Sequence, residues 1–175
     1  MTSLTSSRLT LRDIHLTDWP AFHRIFSDDC EFVEYGPFDE FQTREWLSHV
    51  IVTRYDSPRL VHHFAVELKA TREVVGWIAA ATFASITREW GLSYAVDKAH
   101  RGQGFMTEAV DAVVDYAFAD LDAHRFYVDV DPENAPSIRV AVKCGFVLEG
   151  RMREKQFIRG KWRDMLHYAK VADDK

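Results

Sequence analysis

The sequence predicts a mixed α/β domain in which a mostly antiparallel sheet is flanked by helices. In the middle of the chain, three stretches with an apolar period of two follow one another across short polar turns, which is typical of an antiparallel meander. A long amphipathic helix comes next. The predicted order of elements is β-α-α-β-β-β-α-β-α-β-β.

The first third of the chain predicts one strand and two helices. Leu9–Arg12 alternates apolar and polar residues, as a half-buried strand does. Thr17 is the expected N-cap of a first helix, because Pro20 suits a first helical turn. A second helix is expected to begin near Thr43. The apolar stripes are Phe22, Ile25 and Phe26 in the first helix, and Trp46, Leu47, Val50 and Ile51 in the second.

The middle of the chain predicts three strands and the clearest helix. The strands are expected at Phe64–Leu68, Val74–Phe83 and Trp90–Val96. The helix is expected at Phe105–Leu121, because apolar residues recur along one of its faces. The strand before this helix should lie parallel to the strand after it, since a helical crossover connects the two.

The final third predicts a strand, a short helix and a hairpin. The strand is expected at Phe126–Val130 and the helix at Ala135–Lys143, with a proline near the helix start and a glycine just beyond its end. The hairpin strands, Val147–Ile158 and Trp162–Val171, flank a turn at Arg159-Gly160.

Composition indicates a single domain over residues 1–175. Of the 175 residues, 47% are hydrophobic and 28% are charged, and no repeat or linker divides the chain. The net charge of −5 argues against general nucleic-acid binding, which depends on neutralising phosphates. The most apolar stretch, Val74–Ala84, is too short to span a bilayer, and residues 1–8 lack the apolar core of a signal peptide. We therefore expect a cytoplasmic protein without nucleic-acid or membrane partners.

The cysteines and histidines predict neither a disulfide framework nor a metal centre. Cys30 and Cys144 lie far apart, without the Cys-x-x-Cys spacing of zinc sites. Adjacent residues on a strand point to opposite faces, so His62 and His63 cannot chelate one ion together. No metal is expected.

The segment that precedes the long helix has the pattern of a phosphate-binding turn. It reads Arg101-Gly102-Gln103-Gly104-Phe105-Met106-Thr107. The glycines let the backbone approach a ligand closely, and a helix N-terminus offers unpaired N–H groups and the positive end of the helix dipole. The alternative is an ordinary glycine turn that starts a helix, since short glycine motifs occur widely. The pattern lacks the third glycine of a dinucleotide fingerprint and the Gly-Lys-Ser/Thr end of a P-loop.

A second pattern lies at the start of the short helix. Asn134 and Ser137 are three residues apart. Taken alone, this spacing predicts helix capping, with Asn134 as the N-cap and Ser137 in the first turn.

Together, the two patterns resemble the GNAT superfamily of acetyl-CoA-dependent N-acetyltransferases, and within it the RimJ/RimL-like branch of ribosomal-protein N-terminal acetylases. The matching motifs are Arg101-Gly-Gln-Gly-Phe-Met-Thr-Glu-Ala109, Asn134-x-x-Ser137, Gly145-Phe146-x-x-Glu149-Gly150 and Gly160-x-Trp-x-Asp164. The resemblance covers nearly the whole chain. It implies the GNAT acyl-CoA N-acyltransferase fold, with acetyl-CoA as co-substrate.

The resemblance implies where acetyl-CoA binds. The strand that ends at Val96 is expected to splay from its neighbour, so that the backbone of Ala95 and Val96 contacts pantetheine. Residues 101–106 are expected to hold the pyrophosphate through backbone N–H groups, with the Thr107 hydroxyl beside them. Asn134 is expected to hydrogen-bond pantetheine or the chain around it.

The resemblance also implies two catalytic roles. The Val96 N–H would stabilise negative charge on the thioester oxygen. The Ser137 hydroxyl would protonate the departing thiolate, or would serve only in capping.

The general base is the residue that departs from the family pattern. RimL-like enzymes carry a glutamate, proposed as the base, about where Gln156 stands, and Gln156 cannot accept a proton. Glu154 is one replacement, because strict alternation puts it on the same strand face as Gln156. Glu89 and Glu34 are others, acting through water. An N-terminal amine, with a pKa near 8, could nearly manage without a base.

Charge is unevenly distributed, which bears on the acceptor. Residues 28–40 carry six acids and no base, whereas residues 151–163 carry six bases and one acid. The acidic stretch could attract a cationic amine or be a solvated loop. Glu34, Tyr35 and Phe38 are expected to line the acceptor pocket.

The sequence thus predicts direct transfer of an acetyl group to a primary amine, with a protein N-terminus as one acceptor. The alternatives are a small-molecule amine, such as a polyamine, an amino acid or an antibiotic, and a GNAT module that binds acyl-CoA without turnover. Relatives often dimerise, so a homodimer is a further expectation.

Overall fold

An eight-stranded sheet runs through the part of the chain that the computed structural model describes, which is residues 2–28, 37–83 and 85–172. The strands are β1 (Ser3–Thr5), β2 (Leu9–Arg12), β3 (Val61–Leu68), β4 (Val74–Ala81), β5 (Glu89–Val96), β6 (Arg125–Val130), β7 (Val147–Ile158) and β8 (Lys161–Val171). The helices are α1 (Trp19–Phe26), α2 (Glu40–Thr53), α3 (Phe105–Asp120) and α4 (Ala135–Lys143). The strands lie in the order β1-β2-β3-β4-β5-β6-β8-β7.

The predicted fold class is confirmed. Neighbouring strands are antiparallel from β1 to β5 and again from β6 through β8 to β7. The parallel pair is β5 and β6, as predicted for two strands joined by the α3 crossover. The predicted helix over Ala135–Lys143 has the same bounds in the structure.

Strand β1 was not predicted. It has three residues, Ser3 to Thr5, which is too short for a periodic pattern to be visible in the sequence. Its pairing with β2 puts Leu4 opposite Leu11, so a single apolar contact accompanies the backbone ladder.

The starts of the first two helices also differ from the prediction. Thr17 lies inside a 3₁₀ turn, Leu16–Asp18, and the N-cap of α1 is Asp18. Helix α2 begins at Glu40, earlier than Thr43, because Asp39 and Gln42 form a reciprocal capping box: the Gln42 N–H donates to the Asp39 carboxylate at 2.8 Å, and the Asp39 N–H donates to the Gln42 side chain at 2.9 Å.

The two faces of the sheet carry separate apolar cores. On one face, α3 buries its apolar side against the strands, with Val110, Val113 and Ala117 fully buried. On the other face, α1 and α2 pack through Phe22 and Leu47 over β3 and β4. Phe126, Val128 and Val130 of β6 belong to the α3 core, so the alternate residues of β6 point to the opposite face.

Strands β5 and β6 separate after a short contact. They pair only at Glu89–Gly91 with Arg125–Tyr127. Beyond this, β5 stays paired with β4 as far as Val96, and β6 stays paired with β8 as far as Val130. The result is a wedge-shaped slot in the middle of the sheet, opening toward the carboxyl ends of both strands.

A glycine in β4 makes the close approach of β4 to β5 possible beside this slot. A Cβ on Gly76 would lie 2.9 Å from the backbone carbonyl oxygen of Ala95 and 3.2 Å from Met106 Cε. The backbone oxygen cannot move away without shifting β5. Gly76 therefore supports the position of the strand that forms one wall of the slot.

We expect Gly76→Ala to destabilise the fold by about 1–3 kcal/mol, because the added methyl overpacks the contact with Ala95. Urea unfolding measures this change. Gly150→Ala is the matched control in another strand, since a Cβ there would meet nothing within 4 Å. Equal unfolding midpoints for the two variants would contradict the proposed role of Gly76.

Candidate active site

A cavity of about 240 Å³ occupies the slot between β5 and β6. Its two long walls are Leu92–Ala95 of β5 and residues 128–131, which end β6 and follow it. The remaining lining residues are Phe26, Trp77, Asn134, Ser137, Gln156 and Met165. Of the predicted site residues, the cavity therefore brings together Ala95, Asn134, Ser137 and Gln156.

The start of α4 resolves how Asn134 and Ser137 share the helix cap. The Asn134 side-chain oxygen accepts the Ser137 backbone N–H at 3.2 Å. This cap uses the amide of Ser137 and leaves its hydroxyl out, so capping and a chemical role for the hydroxyl are compatible. Burial raises the pKa of Tyr94, and its phenol donates to the Ser137 carbonyl oxygen at 3.4 Å.

Backbone direction at the end of β5 separates Ala95 from Val96. The Asp97 N–H donates to the Val75 carbonyl oxygen of β4 at 2.8 Å. Because amides alternate along a strand, the N–H and C=O of Val96 point away from β4, toward the slot. The Ala95 carbonyl points toward β4, where it approaches Gly76. Of these two residues, Val96 thus turns its backbone polar groups to the slot, whereas Ala95 lines the cavity and directs its carbonyl to β4.

The glycine turn presents bare backbone at the N-terminus of α3. Gly102 and Gly104 have φ values of 75° and 78°, in the left-handed region that favours glycine. Gly104 is the N-cap and has no side chain to cap the first-turn N–H groups of Phe105, Met106 and Thr107. A Cβ on Gly102 would meet nothing within 4 Å, so the space above the turn is open. This arrangement suits an anion.

Side chains around the turn hold it in place. Arg8 donates to the Gln103 carbonyl oxygen at 3.1 Å and forms an ion pair with Glu108 at 2.7 Å. Hydrogen bonds from Ser6 and Arg8 lower the pKa of Glu108 against the opposing effect of its partial burial. Arg101 pairs with Asp28. The side chains of Phe105 and Met106 are buried in the core, so their backbone N–H groups are what they offer a ligand.

Two carboxylates in the cavity wall were missed by the sequence analysis. Asp129 and Asp131 line the slot on the face of β6 opposite the α3 core. Asp131 is nearly buried, and Arg163 donates to it at 2.7 Å. Asp129 lies 2.6 Å from His167 Nδ1. The signal was available in the alternation of β6, but it does not say which face of the strand is open.

An aromatic cluster extends the cavity on the side of α1 and β4. The Phe26 and Trp77 rings lie 5.9 Å apart, and Phe38 packs on Phe26 at 5.7 Å. The Trp77 Nε1–H donates to His63 Nδ1 at 3.3 Å. Burial, aided by the charge of Arg59, lowers the pKa of His63 to about 4, so this ring is neutral at pH 7. Phe38 therefore lies behind the cavity wall formed by Phe26.

The structure does not bring Glu154 or Glu89 to the cavity. Between Met152 and Gln156 the β7–β8 register shifts, and Glu154 has a φ of 48°, so the strict alternation that put Glu154 beside Gln156 is broken. Glu154 is exposed, whereas Gln156 lines the cavity. Glu89 forms an ion pair with Arg125 at 2.9 Å where the strands still pair. Glu34 and Tyr35 lie outside the described residues.

Within residues 2–28, 37–83 and 85–172, no cluster of His, Cys, Asp or Glu is arranged to hold a metal ion. In the same ranges no helix has the length and apolar character needed to cross a membrane. Cys144 is buried, which raises the pKa of its thiol to about 12 and keeps it protonated.

Comparison with known proteins identifies the family to which the chain belongs. A family model described as an acetyltransferase (GNAT) domain matches residues 8–147. The chain belongs to the GNAT acetyltransferase family. It is 30% identical over 175 residues to an uncharacterized N-acetyltransferase, p20, of Bacillus licheniformis, covering 97% of this chain and 96% of that protein.

Two further proteins are similar over most of the chain. The chain is 26% identical to the spermidine N(1)-acetyltransferase of Vibrio cholerae, covering 91% of each protein. A solved structure of Mycobacterium smegmatis RimJ in complex with CoA-disulfide matches with a TM-score of 0.86 and 26% identity, covering 99% of this chain and 88% of that one. The chain is thus a GNAT enzyme of the RimJ/RimL-like branch, as the sequence motifs predicted.

We expect Gly102→Val to weaken CoA binding at least tenfold, because a side chain would fill the open space above the α3 N-terminus. Isothermal titration calorimetry with CoA measures the loss. Gly160→Val is the matched control: Gly160 has the same left-handed backbone, at φ 78°, and equally open surroundings, but lies in the β7–β8 turn. Equal CoA affinities for the two variants would remove the anion-cradle assignment.

Proposed function

We propose that the protein transfers an acetyl group from acetyl-CoA directly to a primary amine of a cationic acceptor. The observation that carries this proposal is the slot between β5 and β6. The Val96 amide at the end of β5 is directed away from β4 toward the slot, whereas Asn134, Ser137 and two carboxylates line it. The slot thus brings a backbone donor suited to a thioester close to carboxylates suited to an amine.

The residues present fit CoA. The uncapped N-terminus of α3 and the two left-handed glycines provide backbone donors for a pyrophosphate. The slot offers an unpaired strand edge to the amide groups of pantetheine, as a neighbouring strand would. When bound, acetyl-CoA supplies an acetyl group activated as a thioester.

The chain's own groups then have separate tasks. The Val96 N–H, directed into the slot, stabilises the negative charge that develops on the thioester oxygen. The Ser137 hydroxyl protonates the departing thiolate. Asn134 holds the α4 N-terminus and thereby fixes the position of Ser137.

The chemistry of the cavity favours a small cationic amine. Asp129 supplies negative charge, whereas Asp131 is already paired with Arg163. Phe26 and Trp77 supply aromatic rings that contact alkyl chains and ammonium groups favourably. The likeness to a spermidine acetyltransferase over 91% of the chain supports the same class of acceptor.

A peptide N-terminus is the second candidate acceptor, and the β7–β8 hairpin supports it. Gln156 lines the cavity, and beside it the exposed rings of Phe157 and Trp162 pack together at 5.2 Å. Six basic residues lie in the same segment, 151–163. A surface of this kind suits an acidic peptide chain whose amino terminus enters the slot.

The acceptor is identified by thiol release from acetyl-CoA with two pools of amines. One pool contains spermidine, other polyamines, amino acids and aminoglycosides, and the other contains short peptides with free N-termini. We expect release with the polyamines, because the cavity presents carboxylates to their ammonium groups. Release with peptides alone would favour the second candidate. If neither pool causes thiol release although the protein binds CoA, the result would support a non-catalytic module.

We expect Ser137→Ala to lower kcat about a hundredfold, the size of a general-acid contribution. The α4 cap survives in this variant because it uses the Ser137 amide, so CoA affinity and thermal stability should change little. Ser48→Ala is the control, since the Ser48 hydroxyl bonds only within α2. An unchanged kcat would assign Ser137 to capping alone.

A further inference from the structure

Among the described residues, none of the groups assigned so far deprotonates the acceptor amine. The acceptor amine arrives protonated near pH 7 and must lose a proton before its nitrogen can attack. Gln156 lines the cavity but cannot take that proton, and Glu154 and Glu89 are directed elsewhere. The remaining carboxylates of the cavity wall are Asp129 and Asp131, and their surroundings differ.

Asp131 is already fully engaged. One of its oxygens accepts the Glu133 backbone N–H at 2.8 Å, and the other accepts from Arg163 at 2.7 Å. Its side chain is 4% exposed. Both carboxylate oxygens of Asp131 are thus already held by donors within the protein.

Asp129 has a free oxygen. His167 bonds Oδ1, and within the described ranges no residue bonds Oδ2. The Asp129 side chain is 15% exposed, and that exposure is toward the cavity because Asp129 is one of the residues lining it. Asp129 thus has one oxygen anchored and one available to a ligand.

The hydrogen bonds around His167 define its tautomer. Arg125 can only donate, and its Nη2 lies 3.1 Å from His167 Nε2, so Nε2 accepts. The proton is therefore on Nδ1, which donates to Asp129 Oδ1 at 2.6 Å. In this orientation His167 holds Asp129 Oδ1 and leaves Oδ2 to a ligand.

The charges that face Asp129 from the neighbouring strands favour a cation. Arg125 of β6 is bound by Glu89 of β5 and by Glu149 of β7. Around His167 there is thus one cation against three carboxylates. Tyr127, whose ring lies 5.3 Å from that of His167, stays neutral because burial raises its pKa. An incoming ammonium group meets uncompensated negative charge at Asp129.

We propose that Asp129 is the catalytic residue that binds the ammonium group of the acceptor and takes its first proton, with His167 as a positioning residue. The proposal rests on the function proposed above. It names the general base for which neither the sequence motifs nor the family pattern provides a residue in this chain.

The step balances as follows. One proton passes from the ammonium group to Asp129 Oδ2, and the freed electron pair on nitrogen forms a C–N bond with the acetyl carbonyl carbon. The C–S bond breaks, and its electron pair stays on sulfur. Ser137 gives its hydroxyl proton to the thiolate and recovers one from the new amide nitrogen. Asp129 then releases its proton to solvent.

We expect Asp129→Asn to lower kcat/KM for spermidine 10²- to 10⁴-fold at pH 7. The variant keeps an oxygen for His167 Nδ1–H and the same shape, so CoA affinity by calorimetry should be unchanged. The loss should shrink as the pH rises toward 10, because the neutral fraction of the amine rises about tenfold per pH unit below its pKa. A structural role would give a loss of equal size at every pH.

Asp115→Asn is the matched control, because it removes the same charge from an exposed position on α3. We expect wild-type activity from it. His167→Ala should lower kcat about tenfold without changing CoA affinity, and His167→Asn, whose amide can donate from the position of Nδ1, should restore part of it.

The outcomes separate the two proposals. A wild-type protein that releases no thiol with spermidine or with peptides overturns the proposed function, and the assignment of Asp129 with it. An active wild type whose Asp129→Asn variant keeps its activity, or loses the same factor at pH 6.5 and pH 9.5, overturns the assignment of Asp129 alone. For an acceptor that proves to be a peptide, the same comparison uses that peptide.

Discussion

The separation of β5 from β6 is the constraint on which the rest of the structure depends. Three residue pairs join the two strands, and beyond Gly91 and Tyr127 each strand keeps its other neighbour but loses this one. Backbone amides at such an edge need partners. The slot therefore suits a ligand that accepts and donates hydrogen bonds as a neighbouring strand would. The Val96 N–H is directed toward such a ligand. The cavity, the slot-facing Val96 amide and the path that we propose for pantetheine all follow from one interrupted ladder.

Opposite charges lie at different places around the slot. The N-terminus of α3, outside the cavity lining, offers uncapped N–H groups that suit an anion. The β6 wall offers Asp129, held by His167, which suits a cation. The anionic donor and the cationic acceptor that we propose are thereby directed to two different places, the glycine turn and the cavity. This separation gives each substrate one orientation before any group-specific contact is made.

Local signals in the sequence predicted most of the fold and the glycine turn that we propose binds CoA. Glycines at 102 and 104, Asn134 before a proline, and the change of period from 3.6 to 2 each act over a few residues. The acceptor side depends on non-local facts. The bulge that turns Glu154 outward arises from the pairing of β7 with β8, and the exposure of Asp129 depends on which face of β6 is left open. The alternation in β6 identifies the two faces of the strand but does not show which face is open to the cavity.

The presence of a glutamine at position 156 can be explained by Asp129, which lines the same cavity. Both line one small cavity that already contains Asp131. A glutamate at position 156 would add a third carboxylate there, and like charges in a confined site raise one another's pKa values and share protons. A neutral side chain at position 156 adds no further negative charge beside Asp129. The departure from the family pattern and the proposed position of the base on β6 are therefore two parts of one arrangement.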